Sequence, residues 1–112
     1  MVVWVGNAFS LSMLDSDAEL VVKKVDAESV KTVLVNNEWI SFIGHESTAK
    51  VMSAVLGMEI PTNRTSVKLS EGDTVVVFQI LQRLPEGKVL SDEELKSVKH
   101  GWFIVVVQAK KG

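Results

Sequence analysis

Two stretches that lie far apart in the chain contain side chains able to carry out acid–base or phosphate chemistry. His45 stands in IGHESTA, at the predicted start of a helix, where backbone N–H groups attract anions. The ordinary pKa of histidine, about 6.5, allows it to donate a proton near neutral pH. Arg83 and Glu86 stand in QRLPEGKVLSDEEL, where an arginine can bind phosphate and a glutamate can orient a histidine or accept a proton. A plainer interpretation stays open, with His45 as a polar helix start and the other two as a solvated ion pair.

Four further polar residues lie beside predicted strands. Asn7 and Ser10 follow the first strand, where they fit turn chemistry and also a ligand site at a strand end. Arg64 opens a predicted strand. Gln79 stands inside the apolar run VVVFQIL, where an amide needs a hydrogen-bond partner. That partner is either the backbone or a ligand, and the sequence does not decide between them.

The sequence predicts neither a metal site nor a cofactor. His45 and His100 lack ligand spacing, the chain has no cysteine, and the acidic residues are scattered. The acidic run SDEEL fits the first turn of a helix, because the helix dipole favours negative charge there. Phosphate loops, dinucleotide fingerprints and nucleophile elbows are absent from the sequence.

Hydrophobic patterning predicts the elements that must position these side chains. Strands are predicted at 1–6, at 19–25, in a hairpin over 63–81 with its turn at 71–73, and at 101–108. Helices are predicted at 27–36, at 46–57, and from 91 to His100. The segment 38–44 is ambiguous between a strand and an extended connection. TVVVFQI and WFIVVVQ are continuously apolar, which indicates central strands covered on both faces. The fold class is therefore α/β (α+β), with one sheet of about five strands flanked by helices.

Length and charge restrict the class of protein further. The 112 residues fit one compact domain over 1–112, with 108–112 as a frayed tail. A net charge of −2 argues against a domain that coats long nucleic acid, but it is compatible with a small anionic ligand. No apolar stretch approaches the length of about 18 residues that a membrane span requires, and the N-terminus lacks a basic region. We therefore expect a cytoplasmic protein without a membrane partner.

Several of these stretches, in this order, resemble a family of small anti-CRISPR ring nucleases from viruses of archaea and bacteria, which has some cellular relatives. The matching blocks are NAFSLSML, IGHESTA, Asn63-Arg64 and QRLPEGKVLSDEEL, and the resemblance runs from Val2 to about Val107. It implies a mixed five-stranded sheet and a homodimer. It also implies a ligand, cyclic tetra-adenylate, which is the second messenger of type III CRISPR defence. The family cleaves this ring without a metal to linear di-adenylate with 2′,3′-cyclic phosphate ends.

The resemblance also implies roles for single residues. His45 matches the catalytic histidine, Glu86 the catalytic glutamate and Arg83 the active-site arginine. The positions that match ligand contacts are Asn7, Ser10, Arg64 and Gln79. Pro85 departs from the family, in which an acidic residue is common at that place, and this puts the mobility of the loop in question.

Three hypotheses follow for the function. The first is a ring nuclease that ends type III CRISPR signalling, with the loop from Arg83 to Ser91 closing over the ring as a lid. The second is a non-catalytic dimer that sequesters a cyclic oligonucleotide. The third is an interaction protein that binds a host partner through its valine-rich sheet.

Overall fold

Five strands form one sheet in the computed structural model, which describes residues 3–81 and 91–109. The strands are β1 Val3–Gly6, β2 Ala18–Val25, β3 Trp39–Ser41, β4 Thr74–Ile80 and β5 His100–Ala109. The helices are α1 Ala27–Asn36, α2 Glu46–Leu56 and the short α3 Asp92–Lys96, and a 3-10 helix, Leu11–Met13, follows β1. The predicted lid, from Arg83 to Ser91, lies outside the described part of the chain except for Ser91. The predicted tail over 108–112 is wrong in its first two residues, because β5 continues through Gln108 to Ala109, and 110–112 lie outside the described part.

The sheet has the strand order β2-β5-β4-β1-β3. β1 pairs in parallel with β3 and β4, whereas β5 pairs in antiparallel with β2 and β4. The predicted α+β class with a mixed five-stranded sheet is therefore confirmed. The two continuously apolar runs became β4 and β5, which have strands on both sides. Residues 74–78 of β4 are all buried, as expected for a strand covered on both faces.

Different elements pack against the two faces of the sheet. On one face, which we call the helix face, Val5 and Phe78 pack against Val30 of α1 and Met52 of α2 in a single buried cluster. The other face, the second face, is covered by the 3-10 helix and the segment 65–70, whose Leu69 is buried there. None of the helices in the described ranges is long and apolar enough to cross a membrane.

Local chemistry sets the ends of the helices. α1 begins at Asp26, whose carboxylate accepts a hydrogen bond of 2.8 Å from the backbone N–H of Ser29. This bond lowers the pKa of Asp26, because it stabilises the charged form. α2 ends at Gly57, which has a φ of 66°, a left-handed conformation that favours glycine. Ser91 and Glu94 exchange the two hydrogen bonds of a capping box before α3, each 3.2 Å long. The sequence predicted all three features.

The hairpin prediction over 63–81 is wrong in its first half. Val67 and Leu69 alternate with polar residues and are buried, as in a strand, but the segment 65–70 does not join the sheet. Its backbone makes one isolated bridge, in which the Leu69 N–H donates to Met13 O at 2.7 Å. The fifth strand is instead β3, inside the segment that the sequence left ambiguous.

The assignment of His100 to a helix end is also wrong. His100 is the first residue of β5, where it pairs with Ile80 of β4. Its imidazole lies on the helix face, with a ring-centroid distance of 5.1 Å to Phe78. Its Nδ1 atom lies 2.6 Å from the carbonyl oxygen of Val98. The bond to the backbone and the ring contact make His100 a packing residue.

Gly6, at the end of β1, cannot accept a larger side chain without movement. The ring of Phe42 occupies the place that a Cβ atom would take. We expect Gly6→Ala to lower the free energy of unfolding by about 1–3 kcal/mol, a typical cost of overpacking. Gly44→Ala is the control for urea denaturation, because its nearest neighbour would be Arg64 Cγ at an ordinary 3.8 Å. Equal losses of stability in the two variants would contradict this account of Gly6.

Candidate active site

The carboxyl ends of the three parallel strands β4, β1 and β3 meet at one edge of the sheet, which we call the carboxyl edge. Asn7 follows β1 directly, His45 stands four residues after β3, and Gln79 is the last residue but one of β4. The register pairs Gly6 with Val77, so these ends are nearly level. Open α/β sheets bind ligands at such an edge. The topology therefore gathers three predicted site residues there.

His45 stands at the N-terminus of α2 with its side chain exposed. It is the N-cap residue, with φ −122° and ψ 123°, and its backbone carbonyl accepts the first helical hydrogen bond from Ala49 at 3.1 Å. Its imidazole makes no capping bond to the helix. The ring is therefore not used to hold the helix end. The N–H groups of the first turn lie beside it, and they attract anions.

Arg64 lies against the residue that precedes His45. Its Nε–H donates a hydrogen bond of 3.0 Å to the carbonyl oxygen of Gly44. A guanidinium group has five N–H donors, so four remain after this bond. The structure thus places the Arg64 side chain on the carbonyl group that immediately precedes His45, although the two residues are 19 positions apart in the sequence.

Two residues that the sequence did not single out as site residues support this arrangement. Asn63 donates from its backbone to Ile43 O at 2.9 Å and from its side chain to Ser41 O at 2.8 Å. The buried Ser41 donates from Oγ to Pro61 O at 2.6 Å. Asn63 was visible only as part of an Asn-Arg pair. Its bonds to residues about twenty positions earlier depend on the tertiary fold, and no local pattern signals them.

Gln79 is exposed, which corrects the premise that its amide lies buried among valines. It continues the alternation of Val75 and Val77, which point to the second face, but it lies beyond the covered part of that face. The Gln79 amide therefore carries no cost of burial, and it does not need a hydrogen-bond partner in the core. Asn7, half-buried, lies on the neighbouring strand connection.

Ser10 is engaged in local structure. It caps the 3-10 helix, because its Oγ accepts a hydrogen bond of 3.3 Å from the backbone N–H of Ser12 and lies 2.9 Å from the Ser12 hydroxyl. The turn interpretation of Ser10 is therefore confirmed. The residue is exposed, and the part of its hydroxyl that faces solvent stays accessible to a ligand.

Arg83 and Glu86 lie outside the described residues. The chain leaves β4 at Leu81, whose N–H donates to Lys99 O at 2.8 Å, and the described part resumes at Ser91. Leu81, two residues after Gln79, stands at the carboxyl edge.

Two further features of the described part concern its shape and its possible metal ligands. A groove of about 780 Å³ runs along α2, with Lys50 and Met58 in its wall, but His45 does not line it. Within residues 3–81 and 91–109, no three His, Cys, Asp or Glu side chains come together as metal ligands would. The chemistry that the site can perform is therefore that of an exposed imidazole, a guanidinium and helix N–H groups.

The chain is similar to viral proteins along most of its length. A family model described as STIV B116-like matches residues 3–102. Uncharacterized protein 26 of Sulfolobus islandicus filamentous virus (isolate Iceland/Hveragerdi) is 38% identical over 87 residues, which are 76% of this chain and 74% of that protein. Uncharacterized protein ORF117 of Acidianus two-tailed virus is 33% identical over 101 residues, with coverages of 88% and 86%.

The fold has a solved counterpart. The structure of B116 of Sulfolobus turreted icosahedral virus (STIV) matches with a TM-score of 0.80 at 35% identity, covering 93% of this chain and 97% of that one. The same single-domain architecture is therefore found in a viral protein, and a viral origin fits this chain.

Proposed function

The chain belongs to the STIV B116-like family, and from this premise and the carboxyl edge we propose that it is a metal-independent ring nuclease of cyclic tetra-adenylate. Its product is linear di-adenylate with 2′,3′-cyclic phosphate ends. Removal of the ring ends the signal of type III CRISPR defence, so a viral protein of this kind inhibits that defence in the cytoplasm of its host cell. No cofactor takes part.

One observation carries the proposal. His45 is an exposed N-cap without a capping bond, and Arg64 is fixed on the carbonyl group next to it. His45, the Arg64 side chain on the preceding carbonyl group and the first N–H groups of α2 all belong to the edge where open sheets bind ligands. Cleavage of a phosphodiester requires a proton for the departing alkoxide and positive groups for the negatively charged phosphate, and these groups can supply both.

The reaction uses a nucleophile that the substrate itself provides. The ribose 2′ oxygen attacks the adjacent phosphorus, which forms the 2′,3′-cyclic phosphate and breaks the bond from phosphorus to the 5′ oxygen. The proton of the 2′ hydroxyl leaves to water, and His45 protonates the departing 5′ oxygen. Alignment of the 2′ oxygen with the scissile bond supplies much of the acceleration, and general acid catalysis supplies about 10²–10⁴-fold.

The other predicted residues take supporting roles in this proposal. Glu86 orients the imidazole and stabilises its charged form, and Arg83 balances negative charge on the phosphate in the transition state. The ring is held by Asn7, Ser10, Arg64 and Gln79. All four belong to the described part of the chain, and none of them is fully buried.

A homodimer suits this substrate. A ring of four identical nucleotides has two-fold symmetry, and a two-fold dimer would place one His45 at each of two opposed phosphates. Two cleavages then give two identical di-adenylates. Long nucleic acid is not the ligand in this proposal, because the net charge of the chain is −2.

The experiment is incubation of the protein with synthetic cyclic tetra-adenylate in excess EDTA, with the products separated by chromatography and identified by mass. We expect linear di-adenylate with cyclic phosphate ends at the same rate with and without EDTA. Ring that is bound but stays intact would instead identify a protein that sequesters the messenger. A ring that neither binds nor disappears would reject the proposal and favour a protein-interaction role.

A further inference from the structure

The connection between β3 and α2, residues 42–45, carries His45 but lies outside regular secondary structure. Three carbonyl groups at or near it accept hydrogen bonds from only two residues. Asn63 donates to Ser41 O and Ile43 O at 2.8 and 2.9 Å, and Arg64 donates to Gly44 O at 3.0 Å. A segment that is remote in sequence therefore holds the backbone that leads into the candidate catalytic histidine.

Among these hydrogen bonds, the one from the Asn63 side chain is the bond that a truncation of Asn63 would remove. Its backbone bond to Ile43 would survive truncation of the side chain, whereas the bond from Nδ2 to Ser41 O would not. Ser41 is 4% exposed, so its carbonyl group would lose a partner in a place with little access to water, which is costly. The backbone would then relax at Ser41, directly before the connection.

The position of Asn63 also determines that of Arg64. Arg64 is the next residue in the chain, and its Nε bond to Gly44 requires the two backbones to stay in register. The Asn63 amide and the Arg64 guanidinium therefore bind the same stretch of backbone that leads into His45.

We propose that Asn63 is a positioning residue for the cleavage reaction. It fixes His45 and Arg64 relative to each other, because its bonds to Ser41 O and Ile43 O hold the backbone on which Arg64 binds Gly44 O. This inference rests on the proposed function for its catalytic consequence. Its structural half, the fixing of the two side chains, holds without any substrate. The two halves can be tested separately.

The catalytic test compares Asn63→Ala with a matched amide. Asn37 donates from Nδ2 to Val33 O at 2.9 Å, the same type of bond at the far end of α1. We expect Asn63→Ala to lower the single-turnover rate of cyclic tetra-adenylate cleavage by about 10- to 100-fold, as small misplacements do. The Kd of the ring, measured in the His45→Ala background, should rise by less than the rate falls, because the charge of Arg64 is kept. Asn37→Ala should lower Tm by less, because its bond is exposed, and leave the rate unchanged.

Asn63→Asp adds a second variant with the same shape. It replaces the Nδ2 donor by an oxygen that faces the carbonyl oxygen of Ser41, so the loss of rate should be at least that of Asn63→Ala. A rate loss in Asn37→Ala equal to that in Asn63→Ala would overturn the proposal. An effect on Kd alone would also overturn it, because it would show binding and not positioning.

The structural test uses the protein without substrate. The chain contains two arginines, Arg64 and Arg83, so the Nε–H signals in a nitrogen-15 spectrum are few and Arg64→Lys assigns them. We expect the Arg64 Nε–H signal to shift and exchange faster with solvent in Asn63→Ala, and to stay in place in Asn37→Ala. An unchanged Arg64 signal in Asn63→Ala would overturn the positioning role. If the wild type does not cleave the ring, the proposed function fails, while this spectrum still decides the positioning claim.

Discussion

His45→Ala is expected to slow cleavage of cyclic tetra-adenylate by about 10²–10⁴-fold, because it removes the donor that protonates the leaving 5′ oxygen. The Kd of the ring should stay within a few-fold of the wild-type value, since the N–H groups of α2 and the Arg64 cation remain. The measurement is the single-turnover rate together with a direct binding titration. Loss of rate without loss of affinity marks an interaction made only in the transition state.

Two controls separate this effect from damage to α2. The His45 side chain makes no capping bond, so His45→Ala should leave Tm almost unchanged. His45→Asn introduces a preferred N-cap residue, and it should be at least as stable as the wild type yet equally slow. Lys50→Ala, one turn further along α2, removes only an exposed 3.6 Å ion pair with Glu46, and it should cleave normally. Wild-type rates in both His45 variants would end the assignment.

Much of the architecture was predictable because it depends on local pattern. The runs that became β4 and β5 are apolar without alternation, and central strands require such runs. α2 was predictable from apolar residues at helical spacing and from Gly57, whose left-handed φ of 66° ends the helix. Asp26 was predictable as a cap because a carboxylate accepts the unpaired N–H groups of a first turn.

The prediction from the sequence failed where side chains are buried in alternation but the backbone does not pair with another strand. Val67 and Leu69 are buried in alternation with polar residues, but period-two burial shows only which side chains are covered. It does not show whether the backbone joins the sheet. β3 has only three residues and pairs with β1 across more than thirty positions, so no local signal is strong enough to reveal it.

The candidate site was predictable in its residue types but not in its construction. His45 drew attention through its place at a helix start. The contact between Arg64 and Gly44 joins positions twenty residues apart, and the chain path between them includes the whole of α2. Only the tertiary fold could show that Arg64 binds the carbonyl group that precedes His45, and that Asn63 binds the carbonyl groups of Ser41 and Ile43.

Arg64→Lys provides the second large expected effect, because Arg64 has two tasks that a lysine cannot combine. Its Nε–H holds Gly44 O at 3.0 Å, and its remaining N–H groups are directed to a phosphate in the proposed complex. A lysine keeps the charge but has a single nitrogen, without the planar fork of a guanidinium. We expect the Kd of cyclic tetra-adenylate to rise roughly tenfold or more, the usual cost of one lost charge-assisted hydrogen bond.

Salt dependence distinguishes lost geometry from lost charge at Arg64. Arg64→Lys should keep the wild-type slope of log Kd against log salt concentration, because the number of cations at the phosphate is unchanged, whereas Arg64→Gln should flatten it. Lys24→Gln, on the opposite outer strand of the sheet, removes the same charge and should change neither Kd nor slope. If Lys24→Gln weakened binding as much as Arg64→Gln, the ring would be responding to net charge, and Arg64 would lose its place in the site. If Arg64→Lys bound as tightly as the wild type, the guanidinium fork would be unnecessary, and the contact with Gly44 would serve the fold alone.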